Sequence, residues 1–201
     1  YVANTTFKGR TLVEILKEHP EYLGTKVKNG ELPILVKFID AKKDLSVQVH
    51  PSDEYAREYE MDNGKTEMWY VIDADEDAHI IYGFQHEVTE EILRKAIRTG
   101  TLDKHLQKVS VHKGDTYLVP AGTVHGIGKG VLIAEIQESS NVTYRVYDYD
   151  RVDKNGRKRE LHFDKAVKVM SMNVASDVSH KPKLVQYYPG SSRELLCRCQ
   201  Y

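Results

Sequence analysis

The sequence has little cysteine, no long apolar run and no excess of basic residues. Its two cysteines stand at positions 197 and 199, a spacing that suits a disulfide poorly, so we expect a reducing, cytoplasmic compartment. No apolar run approaches the roughly 20 residues that cross a membrane, and no signal peptide is visible. The formal net charge of −1 argues against a dedicated nucleic-acid-binding protein. We therefore expect neither a membrane nor a nucleic acid as a partner.

Both ends of the sequence look cut. The chain begins at Tyr1 instead of an initiator methionine. It stops within a predicted strand, residues 194–201, with no polar tail after it. These features predict that the chain belongs to a longer protein. A chain of 201 residues can nevertheless bury a substantial core, roughly 70 % of its unfolded surface.

Short strands separated by turn residues dominate the sequence. A helix is expected to begin after Thr11, with Glu14 as its capping-box partner, and to end before Pro20. Further helices are predicted at residues 53–59, 89–99 and 162–170. Strands are predicted at residues 32–40, 44–50, 67–72, 79–83, 106–112, 116–119, 131–137, 142–149, 183–188 and 194–201. The first strand is expected to be buried, and residues 106–119 are expected to form a hairpin. The pattern predicts a mainly β fold, an antiparallel barrel of the jelly-roll type with a few short helices.

Two separate stretches could supply metal ligands. One runs from a predicted strand through a tight Pro-x-Gly turn to His125. Upstream, Gln48 and His50 project from one face of a predicted strand, because side chains alternate along a strand. Glu67 opens the next apolar strand. The two histidines and the glutamate are therefore candidates to converge on one metal ion, with Gln48 as the fourth ligand.

The second motif of the cupin family is matched without a gap. It consists of a glycine, five residues, Pro-x-Gly, two residues and a histidine, and here these are Gly114, Pro120, Gly122 and His125. The chain thus resembles the cupins, whose first motif has His-x-His followed by Glu. Gln48 replaces the first of those histidines, so that a neutral amide oxygen stands where an imidazole is usual.

Four segments together resemble the class I mannose-6-phosphate isomerases, specifically their short bacterial form. They are Gln-Val-His-Pro at 48–51, Gly-Lys-Thr-Glu-Met-Trp-Tyr at 64–70, Pro-Ala-Gly-Thr-Val-His at 120–125 and Tyr-Arg-Val-Tyr-Asp-Tyr at 144–149. The resemblance implies interconversion of mannose 6-phosphate and fructose 6-phosphate with one Zn²⁺ per chain. It also implies a metal-binding cupin domain over residues 1–170 and the beginning of a second cupin-like domain over residues 171–201. Family members begin earlier and continue further, which agrees with a fragment.

The same resemblance assigns three charged residues to the substrate pocket. Arg145 matches the family's catalytic arginine, Lys65 matches a pocket lysine, and Glu135 falls at a substrate-binding position. From the residues alone, Arg145 and Lys65 could equally be solvated, and Glu135 could be a salt-bridged carboxylate. The general base stays open between Lys65, Glu135 and a hydroxide on the metal, and Arg145 or Lys65 could instead hold the 6-phosphate. Trp69 is expected to pack and not to take part in chemistry.

Two other functions share this ligand pattern. A cupin oxygenase would hold iron in the same site, but such sites usually contain more histidine than a chain with Gln48 offers. A regulatory cupin would bind a sugar phosphate without turnover, which the intact Arg145 and Lys65 disfavour. Ligand type alone also leaves nickel and manganese open beside zinc. We expect a small sugar phosphate as the ligand, and a monomer or a weak homo-oligomer.

Overall fold

Short helices and short strands make up the structure, a computed structural model that describes residues 1–24, 27, 30–175, 178, 183–188 and 191–196. The α-helices are α1 Leu12–Glu18, α2 Asp53–Tyr59, α3 Glu90–Thr99 and α4 Phe163–Ala166, and two 3-10 helices cover Pro20–Leu23 and Leu102–Lys104. The strands are β1 Ile34–Asp40, β2 Val47–Val49, β3 Glu67–Ala74, β4 His79–Phe84, β5 Leu106–Ser110, β6 Thr116–Val119, β7 His125–Ile127, β8 Val131–Glu138, β9 Tyr144–Tyr147, β10 Lys183–Tyr188 and β11 Ser191–Leu195. Within these described ranges, no helix has the length and apolar character needed to span a membrane.

Two antiparallel sheets form the body of the fold. A four-stranded sheet has the order β1-β8-β3-β6, and a five-stranded sheet has the order β5-β4-β7-β2-β9. Apolar side chains from both sheets, among them Trp69, Ile133 and Tyr82, pack together in an inner core. The fold is therefore mainly β, as predicted, and consistent with a jelly roll. The two sheets do not join into a closed barrel over the residues that the structure describes.

A second apolar layer covers the outer face of the five-stranded sheet. Val47 and Val49 of β2 belong to this layer, together with Leu93 and Ala96 of α3. Because side chains alternate along a strand, burial of the two valines on the outer face turns Gln48 toward the space between the sheets. The packing of helices against the sheet thus decides which face of β2 is available for chemistry.

The predicted ends of the first three α-helices agree with the structure to within a residue or two. The Thr11 hydroxyl accepts a hydrogen bond from the Glu14 amide at 3.2 Å, and Glu14 Oε2 accepts one from the Thr11 amide at 2.8 Å, which completes a capping box. Helix α2 covers the predicted residues 53–59. Helix α3 ends at Gly100, whose φ of 65° lies in the left-handed region that glycine adopts at low cost. These signals are local, so the sequence was sufficient to identify them.

The hairpin predicted over residues 106–119 is wrong. Strand β5 pairs with β4 in the five-stranded sheet, whereas β6 pairs with β3 in the four-stranded sheet. The turn at Gly114, with φ of 92°, carries the chain from one sheet to the other. There the Gly114 amide donates to the Val71 carbonyl at 2.8 Å. A turn signal shows that the chain reverses, but it does not show which distant strand the next segment joins.

Strand β1 is not the buried strand predicted over residues 32–40. Phe38 is 75 % exposed and Val36 is 52 % exposed. The reason is that β1 is an edge strand, paired with β8 alone in its sheet. An apolar run on an edge strand has the same composition as a buried strand, so the pattern misled the prediction. Lys37 of the same strand lines the space between the two sheets.

Several element bounds also differ from the predictions, and one strand was missed. Helix α4 covers Phe163–Ala166 instead of residues 162–170, and β7 was missed because three residues are too few to show a periodic pattern. Strand β10 has the predicted bounds, whereas β11 begins at Ser191. Residues 197–201, with both cysteines, lie outside the described part of the chain. The division into domains at residue 170 stays a prediction.

Candidate metal centre

One lateral row of side chains crosses the inner face of the five-stranded sheet. Gln48 of β2 lies directly opposite His125 of β7 on one side and Arg145 of β9 on the other. Directly opposed residues of neighbouring strands point to the same face of a sheet. His50 immediately follows β2, two residues after Gln48, and is buried. This sheet therefore contributes both histidines and the glutamine.

A second row crosses the facing surface of the four-stranded sheet. Glu135 of β8 lies opposite Lys37 of β1 on one side and Trp69 of β3 on the other. Glu67, two residues before Trp69 on the same strand, shares its face. The carboxylate of the predicted ligand set thus comes from the sheet opposite the one that carries the histidines.

Three predicted metal ligands meet between the two sheets. His50 Nε2 lies 3.2 Å from Glu67 Oε1, and His125 Nε2 lies 3.7 Å from Glu67 Oε2. The ligand atoms of the three residues all lie within 4.8 Å of one another. Each of these side chains is only 1 % exposed. The structure therefore brings together the three residues that the sequence selected, with their side chains almost completely buried.

Backbone carbonyl groups fix the protonation state of both imidazoles. His50 Nδ1 lies 2.9 Å from the Val142 carbonyl oxygen, and His125 Nδ1 lies 2.8 Å from the Thr123 carbonyl oxygen. A carbonyl can only accept, so each Nδ1 carries the proton and donates it. Burial lowers the pKa of His50 to about 4 and also lowers the pKa of His125. Both rings are therefore neutral near pH 7, with an unprotonated Nε2 facing the carboxylate.

The residues fit a divalent cation. His50 Nε2 and Glu67 Oε1 are buried and have no hydrogen-bond partner. These two atoms lie 3.2 Å apart, but both carry lone pairs and neither carries a proton, so they cannot hydrogen-bond to each other. Leaving buried polar groups without a hydrogen bond is costly. A cation at this point would satisfy both atoms together with His125 Nε2. Two neutral imidazoles held by carbonyl groups, plus one carboxylate, are a ligand set typical of protein metal sites.

Gln48 stands beside this trio. Its side-chain nitrogen lies 3.4 Å from His125 Nε2. The oxygen and nitrogen of a side-chain amide exchange places by a half-turn, and their assignment follows from the groups around them. With an unprotonated His125 Nε2 as its neighbour, the amide donates its N–H; beside a cation it would present its oxygen. Gln48 is therefore in reach of the site in which it was predicted to be the fourth ligand.

A cavity of about 190 Å³ opens onto two members of the trio, Glu67 and His125. Its polar lining includes Gln48, Lys65, Glu67, His125, Glu135 and Lys37. A larger groove of about 680 Å³ runs along α3, but it is shallow and contains none of the metal-ligand candidates. The smaller cavity is the better candidate for a substrate site, because polar and titratable groups converge on it.

Lys65 enters the site where sequence reasoning placed it. Its Nζ lies 3.3 Å from Glu67 Oε1, and the side chain is buried. The preceding Gly64 lets the chain pass against the start of α2, where its amide donates to Asp53 Oδ1 at 2.8 Å. A side chain at this glycine would overlap the backbone of Ser52 and Asp53. Close backbone approach at Gly64 therefore brings Lys65 to the carboxylate.

We expect Gly64→Ala to destabilise the protein by about 1–3 kcal/mol, because a methyl group has no room against this backbone. Denaturant unfolding would measure the loss. The exposed neighbour Asn63 provides a matched control, since Asn63→Ala should change the stability by less than about 0.5 kcal/mol. If the two substitutions change the free energy of unfolding equally, the backbone near Gly64 can move to accommodate a methyl group without loss of stability.

Lys37 was not identified from the sequence. Its Nζ donates to Glu135 Oε1 at 3.0 Å and also to the Gln137 side-chain oxygen. Burial and the nearby Glu67 raise the pKa of Glu135, and Lys37 opposes this rise. The predicted alternatives for Glu135, a pocket carboxylate or a salt-bridged one, therefore both describe it. A charged residue inside an apolar strand was the signal that could have indicated Lys37.

Arg145 lies at the edge of the site. It is on the inner face of its sheet, directly opposite Gln48, but it does not line the cavity itself. Its Nη1 donates to the Glu160 carbonyl oxygen at 2.9 Å, whereas its Nε is buried without a partner. Burial and the neighbouring Arg159 lower the pKa of the Arg145 guanidinium. The structure thus leaves this guanidinium with an unused donor, on the strand next to Gln48.

Comparison with known proteins gives consistent matches. The family model for the catalytic domain of type I phosphomannose isomerase matches residues 1–82. The chain is 50 % identical over 171 residues to mannose-6-phosphate isomerase of Streptococcus mutans, covering 85 % of this chain and 54 % of that protein. It is 49 % identical over 172 residues to mannose-6-phosphate isomerase ManA of Bacillus subtilis, with the same two coverages of 85 % and 54 %. The chain thus spans about half the length of these relatives.

Solved structures agree on the fold. The crystal structure of mannose 6-phosphate isomerase from Bacillus subtilis matches with a TM-score of 0.86 and 41 % identity, covering 100 % of this chain and 63 % of that one. A mannose 6-phosphate isomerase bound with zinc and yttrium matches with a TM-score of 0.61 and 15 % identity, over 88 % of this chain and 65 % of that one. At that identity the second match supports the fold alone.

Proposed function

Because the chain belongs to the class I mannose-6-phosphate isomerase family, we propose that its protein interconverts mannose 6-phosphate and fructose 6-phosphate with the help of one Zn²⁺. The metal would be held by His50, Glu67 and His125, with Gln48 as the fourth ligand. The observation that carries the proposal is the pair of buried atoms without a hydrogen bond, His50 Nε2 and Glu67 Oε1, that face each other beside His125, with Lys65 as the ion-pair partner of the carboxylate.

The reaction moves a proton between C1 and C2 of the sugar while a carbonyl group changes place. A bound zinc ion would polarise that carbonyl and stabilise negative charge on its oxygen. Lys65 and Lys37 add positive charge to the lining of the cavity. Glu135 also lines it, and burial and the nearby Glu67 raise its pKa, which makes it a stronger base than an ordinary carboxylate. Lys65 and Glu135 are therefore the side chains proposed to bind substrate and to move the proton.

Arg145 is proposed to stabilise the charge that develops on the substrate oxygens. Its guanidinium has a donor nitrogen with no partner and extends from the inner face of the sheet beside Gln48. A preorganised donor acts most strongly where charge appears only during the reaction. Lys65, already paired with Glu67, is less free to serve as the anchor of the 6-phosphate.

The remaining proposals concern the domain division, the cellular location and the oligomeric state. Residues 1–170 would form the catalytic cupin domain, and residues 171–201 would begin a second cupin-like domain. We place the protein in the cytoplasm as a monomer or weak homo-oligomer. The apolar surface of β1, where Phe38 is exposed, is the feature most relevant to any such association.

Metal content and turnover should be measured on one preparation of the full-length protein. We expect about one zinc ion per chain by elemental analysis and interconversion of the two sugar phosphates in a coupled assay. Iron together with oxygen consumption would support an oxygenase instead. Metal and sugar-phosphate binding without turnover would support a regulatory cupin.

Two substitutions of Gln48 distinguish the loss of a metal ligand from a change in the charge around the metal. Gln48→Leu should lower both zinc affinity and isomerase rate, because the amide oxygen is lost. Gln48→Glu should retain the metal, since a carboxylate of the same shape replaces the amide, but lower the rate because a more fully neutralised ion polarises the carbonyl less. Zinc titration against a chelator and the isomerase assay would measure both effects. An unchanged Gln48→Leu variant would remove Gln48 from the ligand set and strengthen the oxygenase alternative.

A further inference from the structure

The indole of Trp69 contacts both buried carboxylates of the site. Its Nε1 lies 3.0 Å from Glu67 Oε2 and 3.1 Å from Glu135 Oε2. The ring also meets the edge of the His125 imidazole, with centroids 5.4 Å apart and planes at 73°. The side chain is 1 % exposed. The predicted packing role is therefore correct but incomplete, because a single N–H joins two acidic side chains on neighbouring strands.

Each of the two carboxylates is held at both of its oxygens. Glu67 Oε1 faces Lys65 Nζ at 3.3 Å, and Glu135 Oε1 accepts from Lys37 Nζ at 3.0 Å. The other oxygen of each carboxylate meets the indole N–H. A carboxylate held by a lysine alone can rotate about its last bond, since a lysine is a flexible point charge. The rigid indole removes that freedom from both groups.

We propose that Trp69 is a positioning residue of the metal site, whose N–H sets the orientation of the Glu67 carboxylate and links it to Glu135. The link connects the metal ligand to the lining of the substrate cavity. Groups that orient metal ligands typically contribute 10–100-fold to metal affinity or activity. Loss of this N–H should therefore weaken zinc binding by about 10–100-fold.

The test removes the donor and keeps the ring. Site-specific incorporation of 3-benzothienyl-alanine at position 69 of the full-length protein replaces the N–H by sulfur within a bicyclic ring of the same shape. Trp69→Phe is the simpler companion variant. The control is Tyr117→Phe: Tyr117 lies opposite Trp69 on β6 in the same inner core, and its hydroxyl donates to Asp115 Oδ2 at 3.2 Å, away from the ligands.

Two measurements distinguish positioning from packing. Competition with a chelator gives the zinc dissociation constant, and denaturant unfolding of the metal-free protein gives its intrinsic stability. Positioning predicts that both Trp69 variants bind zinc about 10–100-fold more weakly. The benzothienyl variant should also show a smaller gain in melting temperature on adding zinc. Tyr117→Phe should bind zinc as the wild type does.

The experiment distinguishes failure of the metal site from failure of the role proposed for Trp69. The inference rests on the metal-site part of the proposed function and does not require isomerase turnover. A wild-type protein that binds no zinc would overturn the metal site and this inference together. A benzothienyl variant that binds zinc with the wild-type dissociation constant would overturn the role of Trp69 alone, whatever its metal-free stability.

Discussion

The His125→Ala variant of the full-length protein is expected to lose its zinc. His125 supplies one of only two imidazoles in the ligand set, and the Thr123 carbonyl accepts from its Nδ1 at 2.8 Å, so that Nε2 faces Glu67. Removing a direct ligand should cost more than the 10–100-fold that outer partners contribute, so we expect an affinity loss of about 100-fold or more. Elemental analysis after dialysis against a chelator would report the loss, and isomerase turnover should fall with it.

An exposed histidine of the same chain provides a matched control for this variant. His112 is an exposed histidine whose side chain is 78 % accessible, and His112→Ala should leave metal content and turnover unchanged. Because His125 is buried, unfolding of both metal-free variants should be compared with that of the wild type. A His125→Ala protein that is folded and retains one zinc ion after dialysis would show that this assignment of the ligand is wrong.

Arg145→Lys is expected to lower kcat far more than it raises KM. The substitution keeps the positive charge but removes the planar fork whose Nη1 donates to Glu160 and whose Nε has no partner. Losing a donor aimed at developing charge typically costs about 10²–10³ in kcat, and we expect a loss near the lower end because an ammonium remains. Steady-state kinetics in both directions of the isomerisation would measure kcat and KM separately.

The kinetic pattern of this variant assigns the role of the arginine. Arg157 lies exposed in the loop after β9, so Arg157→Lys controls for the exchange of arginine for lysine and should match the wild type. A change of Arg145→Lys confined to KM would indicate binding that is equal in ground and transition states. That result would make Arg145 the anchor of the 6-phosphate and would transfer charge stabilisation to Lys65 or Lys37.

Much of the site could be predicted from the sequence because strands impose a strict alternation. Gln48 and His50 share a face as soon as β2 is recognised, and the Pro-x-Gly turn delivers His125 at its end. The helix ends at Thr11 and Gly100 were equally accessible, since capping and left-handed turns depend on neighbouring residues alone. The identities of the candidate ligands were therefore determined before any tertiary contact was known.

Tertiary structure decided everything that depends on which strands become neighbours. It separated β5 from β6, left β1 at an edge, and placed Lys37 opposite Glu135, 98 positions away in the chain. The tautomer of His50 follows from the carbonyl group of the distant Val142, and the link from Trp69 to Glu135 exists only because β3 pairs with β8. Pairing between distant strands depends on long-range packing that no local pattern encodes. The ligands were thus available from the sequence, whereas the groups that hold and tune them were not.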